Sequence, residues 1–362
     1  MDNRASVIRS FQVPDGTISI RPHGNGHIND TYLVGIEGDE RQYILQRLNT
    51  YVFRKPDEVM ENIDWVTSHL REKICREGGD PLRETLTLIR TRDGQLSLTD
   101  EMGGYWRMFL FVPGTTGPGE EESEALLEDC GRAFSVFARR LEDFDAGRLH
   151  ETIPGFHNTP GRLRQLMDSV SEDPKGRLDG GREEVKCCLD REEETRCLLE
   201  AHARGEIPLR VTHNDTKVNN VLLDRAGGRA ICVVDLDTVM PGLAAYDFGD
   251  AIRIGASSAP EDEEDVGKIF LVQSKVEAFS RGFLSELSNV MGEKERRMLP
   301  EGALLMTLEN GIRFLKDYLD GDVYYKIHRP DHNLVRARAQ FALVREMEKN
   351  LEEMRRLICR IG

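Results

Sequence analysis

Between Val211 and Asp237 the chain reads VTHNDTKVNNVLLDRAGGRAICVVDLD, which sets His-x-Asp-x-Lys-x-x-Asn ahead of a second Asp. Ile207 to Thr212 is a strand candidate, so His213, Asn214 and Asp215 fall on the loop where it ends. Loops held by rigid strands are where reacting groups are usually placed. Val221 to Leu223 forms a second short strand, the AGGR turn reverses it, and Ile231 to Val234 return Asp235 beside Asn220. Two oxygen donors at the ends of a hairpin can share one hard cation. Phosphoryl transfer asks for an aligned hydroxyl, neutralised phosphate oxygens and held metal ions. Asp215 is the candidate base, Lys217 the candidate cation for the phosphoryl, and Asn220 with Asp235 the candidate magnesium ligands. Taken singly, His213, Asp215 and Asn220 are each as well explained as turn caps. Their combination at this spacing points to chemistry.

Composition limits the partners. The chain has 362 residues, long for a single core, and two lobes are expected. Its net charge of -15 opposes binding to nucleic acid or to an anionic membrane. It does not oppose a nucleotide, whose binding is decided by local cations. Seven cysteines with no C-x-x-C suggest neither a disulfide framework nor a zinc site. The start, MDNRASVIRSFQVPDG, has no signal-peptide core, and no segment approaches the roughly 20 apolar residues of a membrane span. The expectation is a cytoplasmic protein with no obligate protein partner.

The first hundred residues read as an antiparallel sheet with one helix. Thr17 to Ile20, Ile28 to Val34 and Gln42 to Leu48 are β-prone runs. From Pro56 a helical pattern places Val59, Ile63, Val66 and Leu70 on one stripe. Leu86 to Arg90 and Leu96 to Leu98 read as a hairpin, and Tyr105 to Val112 as a more buried strand. HGNGH, with Gly24, Asn25 and Gly26, is a glycine loop whose backbone N–H groups can lie over phosphates. The same letters also suit a plain hairpin turn. TTGPGEEES marks a lobe boundary, beyond which the pattern turns helical. Phe134, Phe137 and Leu141 share one stripe, Phe341, Val344 and Met354 another, and Arg182 to Arg204 reads as a largely solvated helix.

Together these residues resemble the family of protein-kinase-like small-molecule kinases that includes aminoglycoside phosphotransferases and choline kinases. Within it they are most similar to the N-acetylhexosamine 1-kinase group. The resemblance is carried by GNGHINDTY, YILQRLN, VMENIDWVTSHL, VTHNDTKVNNVLLD, VVDLDTVMPGLAAYDFGDAIR, RFLKDYLDGDVYYKI and HNLVRARAQFAL, so it spans most of the chain. It implies an α+β, bilobal protein-kinase-like fold. Residues 1–113 would form a small antiparallel-sheet N-lobe that binds nucleotide, and residues 114–362 a larger, mostly helical C-lobe with the catalytic loop, metal site and sugar-binding helices.

The same resemblance implies ATP and Mg2+ as cofactors and a small sugar as substrate. Asp215 would face the sugar hydroxyl, with Asn220 and Asp235 on magnesium and the backbone around Phe111 and Val112 receiving adenine. The transfer would run from the ATP γ-phosphate to the anomeric hydroxyl of N-acetylglucosamine or N-acetylgalactosamine, giving the 1-phosphate. His27, Arg313 and Tyr324 would contact the sugar.

One departure stands out. Such folds place a Lys on the third strand, paired with a helix Glu, to hold the α and β phosphates. Here Gln46 has that position, Arg47 lies on the opposite face, and Glu61 is the helix candidate. Gln46 is therefore expected beside the nucleotide, with Lys217 carrying more of the phosphate charge. Two rival readings exist. VVDLDTV, with Asp235 and Asp237, resembles the nucleophile motif of haloacid-dehalogenase-type phosphatases. The missing strand Lys also suits an inactive nucleotide-binding module, though such a module has no physical need for Asp215, Lys217, Asn220 and Asp235 together. Asp247 and Asp250 are expected to brace the helix and the catalytic loop.

Overall fold

In the computed structural model, which describes residues 3–24, 28–118 and 123–362, the protein is α+β, with an antiparallel sheet in its N-terminal part and helices in its C-terminal part. It divides into two compact units. The first takes Met1–Pro118, Asp143–Pro154 and Asn220–Met240, and the second Gly119–Glu142, Gly155–Asn219 and Pro241–Gly362. The boundary drawn from sequence at 113/114 falls inside the first segment of the first unit.

The first unit is built on strands β1 (Ile18–Pro22), β2 (Asp30–Ile36), β3 (Gln42–Leu48), β4 (Leu88–Ile89), β5 (Leu98–Thr99) and β6 (Tyr105–Leu110). They pair antiparallel in the order β1-β2-β3-β6-β4, with β5 also on β6. Alternation sorts the side chains. Val34, Ile36, Tyr43, Leu45, Trp106 and Met108 share one buried cluster with Val7, Ile8 and Phe11 of the N-terminal segment, where helix α1 (Arg4–Arg9) lies. Thr31, Gln46 and Arg107 stand opposite one another across β2, β3 and β6 and point to the other face.

The hairpin expected over Leu86 to Leu98 does not form. β4 pairs with Phe109 and Met108 and β5 with Trp106 and Tyr105, so the two lie in tandem along one edge of β6. β6 is almost wholly buried, and its backbone groups on that edge need partners.

Helix α2 (Pro56–Glu77) starts with Pro at its first turn and ends at Gly78, whose φ of 78° is the left-handed conformation that glycine supplies. A short helix α3 (Pro81–Glu84) follows. A smaller sheet joins β7 (Thr115–Thr116) to the pair Val221–Asp224 and Ala230–Val233, which are β9 and β10 in chain order.

The second unit is mostly helical and includes the short strand β8 (Arg210–Thr212). Its helices are α4 (Glu124–Arg140), α5 (Thr159–Glu172), α6 (Leu178–Leu189), α7 (Cys197–Ala203), α8 (Ala244–Gly255), α9 (Gln273–Leu287), α10 (Glu293–Arg297), α11 (Leu299–Asp320) and α12 (His332–Ile361). The solvated helix expected over Arg182 to Arg204 is instead two helices broken by a turn, and Val185, Cys188, Leu198 and Ala201 bury one side of them. Leu308, Ile312, Leu315 and Leu319 pack with Leu334, Ala337, Phe341 and Val344. Two helix crossings are close enough to touch backbones. A Cβ on Gly282 of α9 would lie 1.9 Å from the Glu128 carbonyl of α4, and one on Gly302 of α11 would lie 2.2 Å from the Ala245 carbonyl of α8. Among the described residues no helix is long and apolar enough to cross a membrane.

Candidate active site

β8 ends at Thr212 and the chain turns sharply. Asn214 adopts a left-handed φ of 62°, which Asn tolerates better than most residues. Its side chain hooks back on the strand, accepting from Thr212 Oγ1 at 3.1 Å and donating to the Thr212 carbonyl at 3.3 Å. Asp247, in the first turn of α8, braces this loop as expected. Its carboxylate accepts from the His213 N–H at 2.9 Å and the Asn214 N–H at 2.7 Å, and its carbonyl accepts from Thr216 Oγ1. Burial pushes the Asp247 carboxyl up to about 6, against the opposing pull of His213 and of the two N–H groups. The His213 ring is fully buried, edge-on to Phe134 and Phe137 at 5.5 and 6.0 Å between centroids.

On this floor stand Asp215 and Lys217. Lys217 Nζ donates to Asp215 Oδ2 at 2.7 Å, and both side chains remain about one-third exposed. A carboxylate and an ammonium are thus placed together by a loop whose backbone is fixed from below.

The candidate metal ligands belong to the first unit. Asn220 is buried at the end of a 3-10 turn, and its carbonyl accepts from the Val234 N–H at 2.9 Å. That bond brings the Asn220 backbone alongside the residue preceding Asp235, which takes a left-handed φ of 60°. The described residues include no cluster of three His, Cys, Asp or Glu side chains that could cage a metal. One carboxylate and one amide oxygen suit magnesium, a hard cation that keeps waters and phosphate oxygens as its other ligands.

Behind Asp235 lies a network that sequence reasoning missed. Asp237 is 3% exposed, and its Oδ1 lies 2.5 Å from Nη1 of Arg107, itself 1% exposed. The contact is ionic and poorly aligned as a hydrogen bond. Arg107 Nε donates to Gln46 Oε1 at 3.0 Å, and Gln46 Nε2 donates to Thr31 Oγ1 at 3.0 Å. Asn29 Nδ2 donates to Asp237 Oδ2 at 2.8 Å, and Thr152 Oγ1 donates to the Asp237 carbonyl at 3.2 Å. From α2, Asn62 Nδ2 donates to the Val239 carbonyl at 3.0 Å.

Glu61, the helix candidate, faces outward and meets His150 Nε2 at 2.6 Å. Counting three on from Val59 reaches Asn62, so the inner stripe of α2 passes through Asn62 and misses Glu61. A lone Arg inside the apolar run YWRMFL was the available signal for Arg107, since a charge in a buried strand needs a partner.

Gly24 has a φ of 74°, a backbone conformation that favours glycine. Asn25, Gly26 and His27 lie outside the described residues. His23 meets Phe111 edge-on at 6.0 Å, which sets the start of the glycine segment beside the expected adenine hinge. Burial, helped by the charge of Arg21, lowers the His23 pKa. The Phe111 N–H is taken by the Gln42 carbonyl at 2.9 Å, and the Val112 carbonyl accepts from Thr115 Oγ1 at 2.8 Å.

In the second unit, Arg313 of α11 is enclosed by aromatic rings. Its guanidinium carbon lies 5.3 Å from the Phe156 centroid, 5.7 Å from Tyr325 and 6.0 Å from Tyr324. Asp317, one turn further on, accepts from the backbone N–H groups of Val323, Tyr324 and Tyr325 at 2.8 to 3.0 Å. That carboxylate fixes the loop carrying both tyrosines.

The model of the phosphotransferase enzyme family matches residues 19–272. The chain belongs to that family. Solved structures agree in fold with this phosphotransferase at low sequence identity. An aminoglycoside phosphotransferase from Alicyclobacillus acidocaldarius superposes with a TM-score of 0.64 at 13% identity, covering 98% of this chain and 96% of its own. A spectinomycin phosphotransferase, solved with ADP and spectinomycin, gives 0.56 at 12% identity, with 96% and 97% covered. A choline kinase from Cryptosporidium parvum gives 0.56 at 13% identity, with 94% and 92% covered. The protein-kinase-like fold expected from the sequence is therefore the fold of this phosphotransferase.

Proposed function

We propose that this phosphotransferase is an ATP- and magnesium-dependent kinase of small molecules, acting in the cytoplasm where ATP is supplied. Its acceptor is a sugar hydroxyl, and the best reading is the anomeric hydroxyl of N-acetylglucosamine or N-acetylgalactosamine. The acceptor oxygen bonds to the γ-phosphorus, the bond from that phosphorus to the β–γ bridging oxygen breaks, and ADP leaves with the bonding pair. The hydroxyl proton passes to the Asp215 carboxylate. Lys217, 2.7 Å from that carboxylate, supplies positive charge where the phosphoryl passes. Asn220 and Asp235 are the magnesium ligands, and magnesium when bound neutralises phosphate oxygens. The glycine segment from Gly24 and the backbone at Phe111 and Val112 receive the nucleotide. The sheet-bearing N-terminal part is thus assigned to nucleotide and the helical C-terminal part to acceptor.

The observation that carries the acceptor assignment is the cradle around Arg313. A guanidinium held by three aromatic faces, with no carboxylate in ion-pair range among the described residues, keeps its N–H donors for a polar ligand. A half-exposed Tyr324 beside it offers both a ring face and a hydroxyl, which suits a sugar. A second reading keeps the chemistry and changes the acceptor to another hexose or small alcohol, because pocket shape decides that choice. The phosphatase reading is disfavoured, since its acid–base residue would be Asp237, which is buried against Arg107.

The test is a magnesium-ATP assay over hexoses, amino sugars, choline, homoserine, methylthioribose and aminoglycosides, with the phosphorylated position read by phosphorus NMR. Phosphate on C1 of an N-acetylhexosamine is the expected result. Phosphate on a primary hydroxyl would keep the kinase and remove the subgroup. Phosphate release from sugar phosphates without ATP would overturn both.

A further inference from the structure

The pair expected to hold the nucleotide phosphates, a strand Lys with a helix Glu, is not formed among the described residues of this unit. Gln46 stands at the strand position, and the inner face of α2 presents Asn62. Two neutral amides replace two charges. A buried charge pair of this unit lies elsewhere, between Arg107 of β6 and Asp237, two residues after Asp235. We infer that Arg107 is a positioning residue for the magnesium site: through Asp237 it fixes the turn that presents Asp235, replacing the missing lysine–glutamate pair as the tie between sheet and phosphate-binding machinery. This rests on the kinase reading above.

Three observations support it. First, Arg107 belongs to a continuous row. Thr31, Gln46 and Arg107 are opposed across three strands and joined by hydrogen bonds of 3.0 Å, so its guanidinium is anchored on the sheet side. The amide of Gln46 is used at both ends within that row, which makes it a spacer for Arg107.

Second, the turn is held from several directions. Asn29 binds the second Asp237 oxygen, Thr152 its carbonyl, and Asn62 the Val239 carbonyl. Asp235 itself has a φ of 60°, a conformation that persists in a non-glycine residue only when the surroundings impose it. Third, an ion pair this buried is a poor device for stability alone, because desolvation offsets most of the attraction. Residues that orient metal ligands from behind gain through the geometry they impose.

The experiment is calorimetric titration of the full chain with ADP, with and without magnesium, yielding the magnesium half-saturation and the metal-free ADP affinity separately. The variants are Arg107→Met, Asp237→Asn and the double variant Arg107→Met/Asp237→Leu. The double variant removes both charges and so leaves no unpaired buried ion to unfold the chain. Circular dichroism selects the folded variants. Magnesium half-saturation should rise roughly 10- to 100-fold in them, the range found when groups behind metal ligands are removed. Metal-free ADP affinity should stay within about twofold of wild type, because the proposal gives Arg107 no contact with phosphate.

A folded double variant with wild-type magnesium half-saturation would overturn the inference. So would an equal loss of metal-free affinity in the Arg107 variants, which would make Arg107 a direct phosphate ligand. If the wild-type chain shows no magnesium-dependent gain in ADP binding, the kinase reading fails first, and that result is separate from either outcome in the variants.

Discussion

At the scale of single residues, the contact between Asp215 and Lys217 sets the first expectation. Asp215→Asn keeps the shape and removes the base, and should lower kcat by about 10²- to 10⁴-fold. Lys217→Ala should also lower kcat, and a wild-type value would remove this lysine from the chemistry. On the proposed reading Arg313 serves the other substrate. Replacing it by Ala should raise the KM for the sugar roughly 10- to 100-fold, the worth of a charge-assisted hydrogen bond, and leave the KM for ATP near wild type. Loss of both in parallel would contradict that division. Asp247 carries a pH dependence of defined sign. Burial raises its carboxyl to about 6. An acid whose folded pKa is raised contributes stability that is fully present below the unfolded value near 4 and lost as pH climbs through about 6. The loss is on the order of 3 kcal/mol. The melting temperature of Asp247→Asn should therefore gain on wild type between pH 4 and pH 7 and then level off. A constant difference across that range would sink the assignment.

At the scale of elements, the support for the catalytic loop depends on how close α8 comes to α11. Gly302→Ala would place a Cβ 2.2 Å from the Ala245 carbonyl, and helix backbones give way only by separating. Overpacking of that kind costs about 1–3 kcal/mol. It should also lower kcat, because Asp247 on α8 holds His213 and Asn214. Gly292→Ala is the control, since nothing lies within 4 Å of its Cβ position. Thermal melts and kcat of the pair decide it. This scale also shows what the sequence could and could not reveal. The β9–β10 hairpin was legible because its own pairing is local, and the loop after β8 because its polar residues are consecutive, although Asp247 braces that loop from 33 and 34 residues away. The tandem strands on β6 were not, because two-residue strands carry no period of their own and are defined by their partner. Arg107 was visible only as an oddity in YWRMFL, and its partner lies 130 residues downstream in the chain. Nothing short of the folded sheet could join them. Asn62 was within reach, because helical spacing from Val59 already excluded Glu61 from the inner face.

At the scale of the whole molecule, magnesium and ADP together should raise the melting temperature, and ADP alone should raise it less. A ligand at a hundredfold excess over its Kd adds about 2.7 kcal/mol to the folded state. A melting curve that ignores magnesium would contradict the metal assignment, and one that ignores ADP would contradict nucleotide binding itself. The net charge of -15 gives no help in drawing in a polyanion, so affinity for nucleotide must come from a few placed groups. Two turns beside the proposed site are bent the wrong way for an ordinary residue, at Asn214 and Asp235. Glycine at either position would relieve about 1 kcal/mol of backbone strain or more, but at Asn214 it would also remove the two side-chain hydrogen bonds to Thr212, each worth about 1 kcal/mol. A laboratory selection for heat resistance would gain little at those two codons, and glycine there would loosen the site. Thermostabilising this enzyme therefore means searching everywhere except where the backbone is least comfortable.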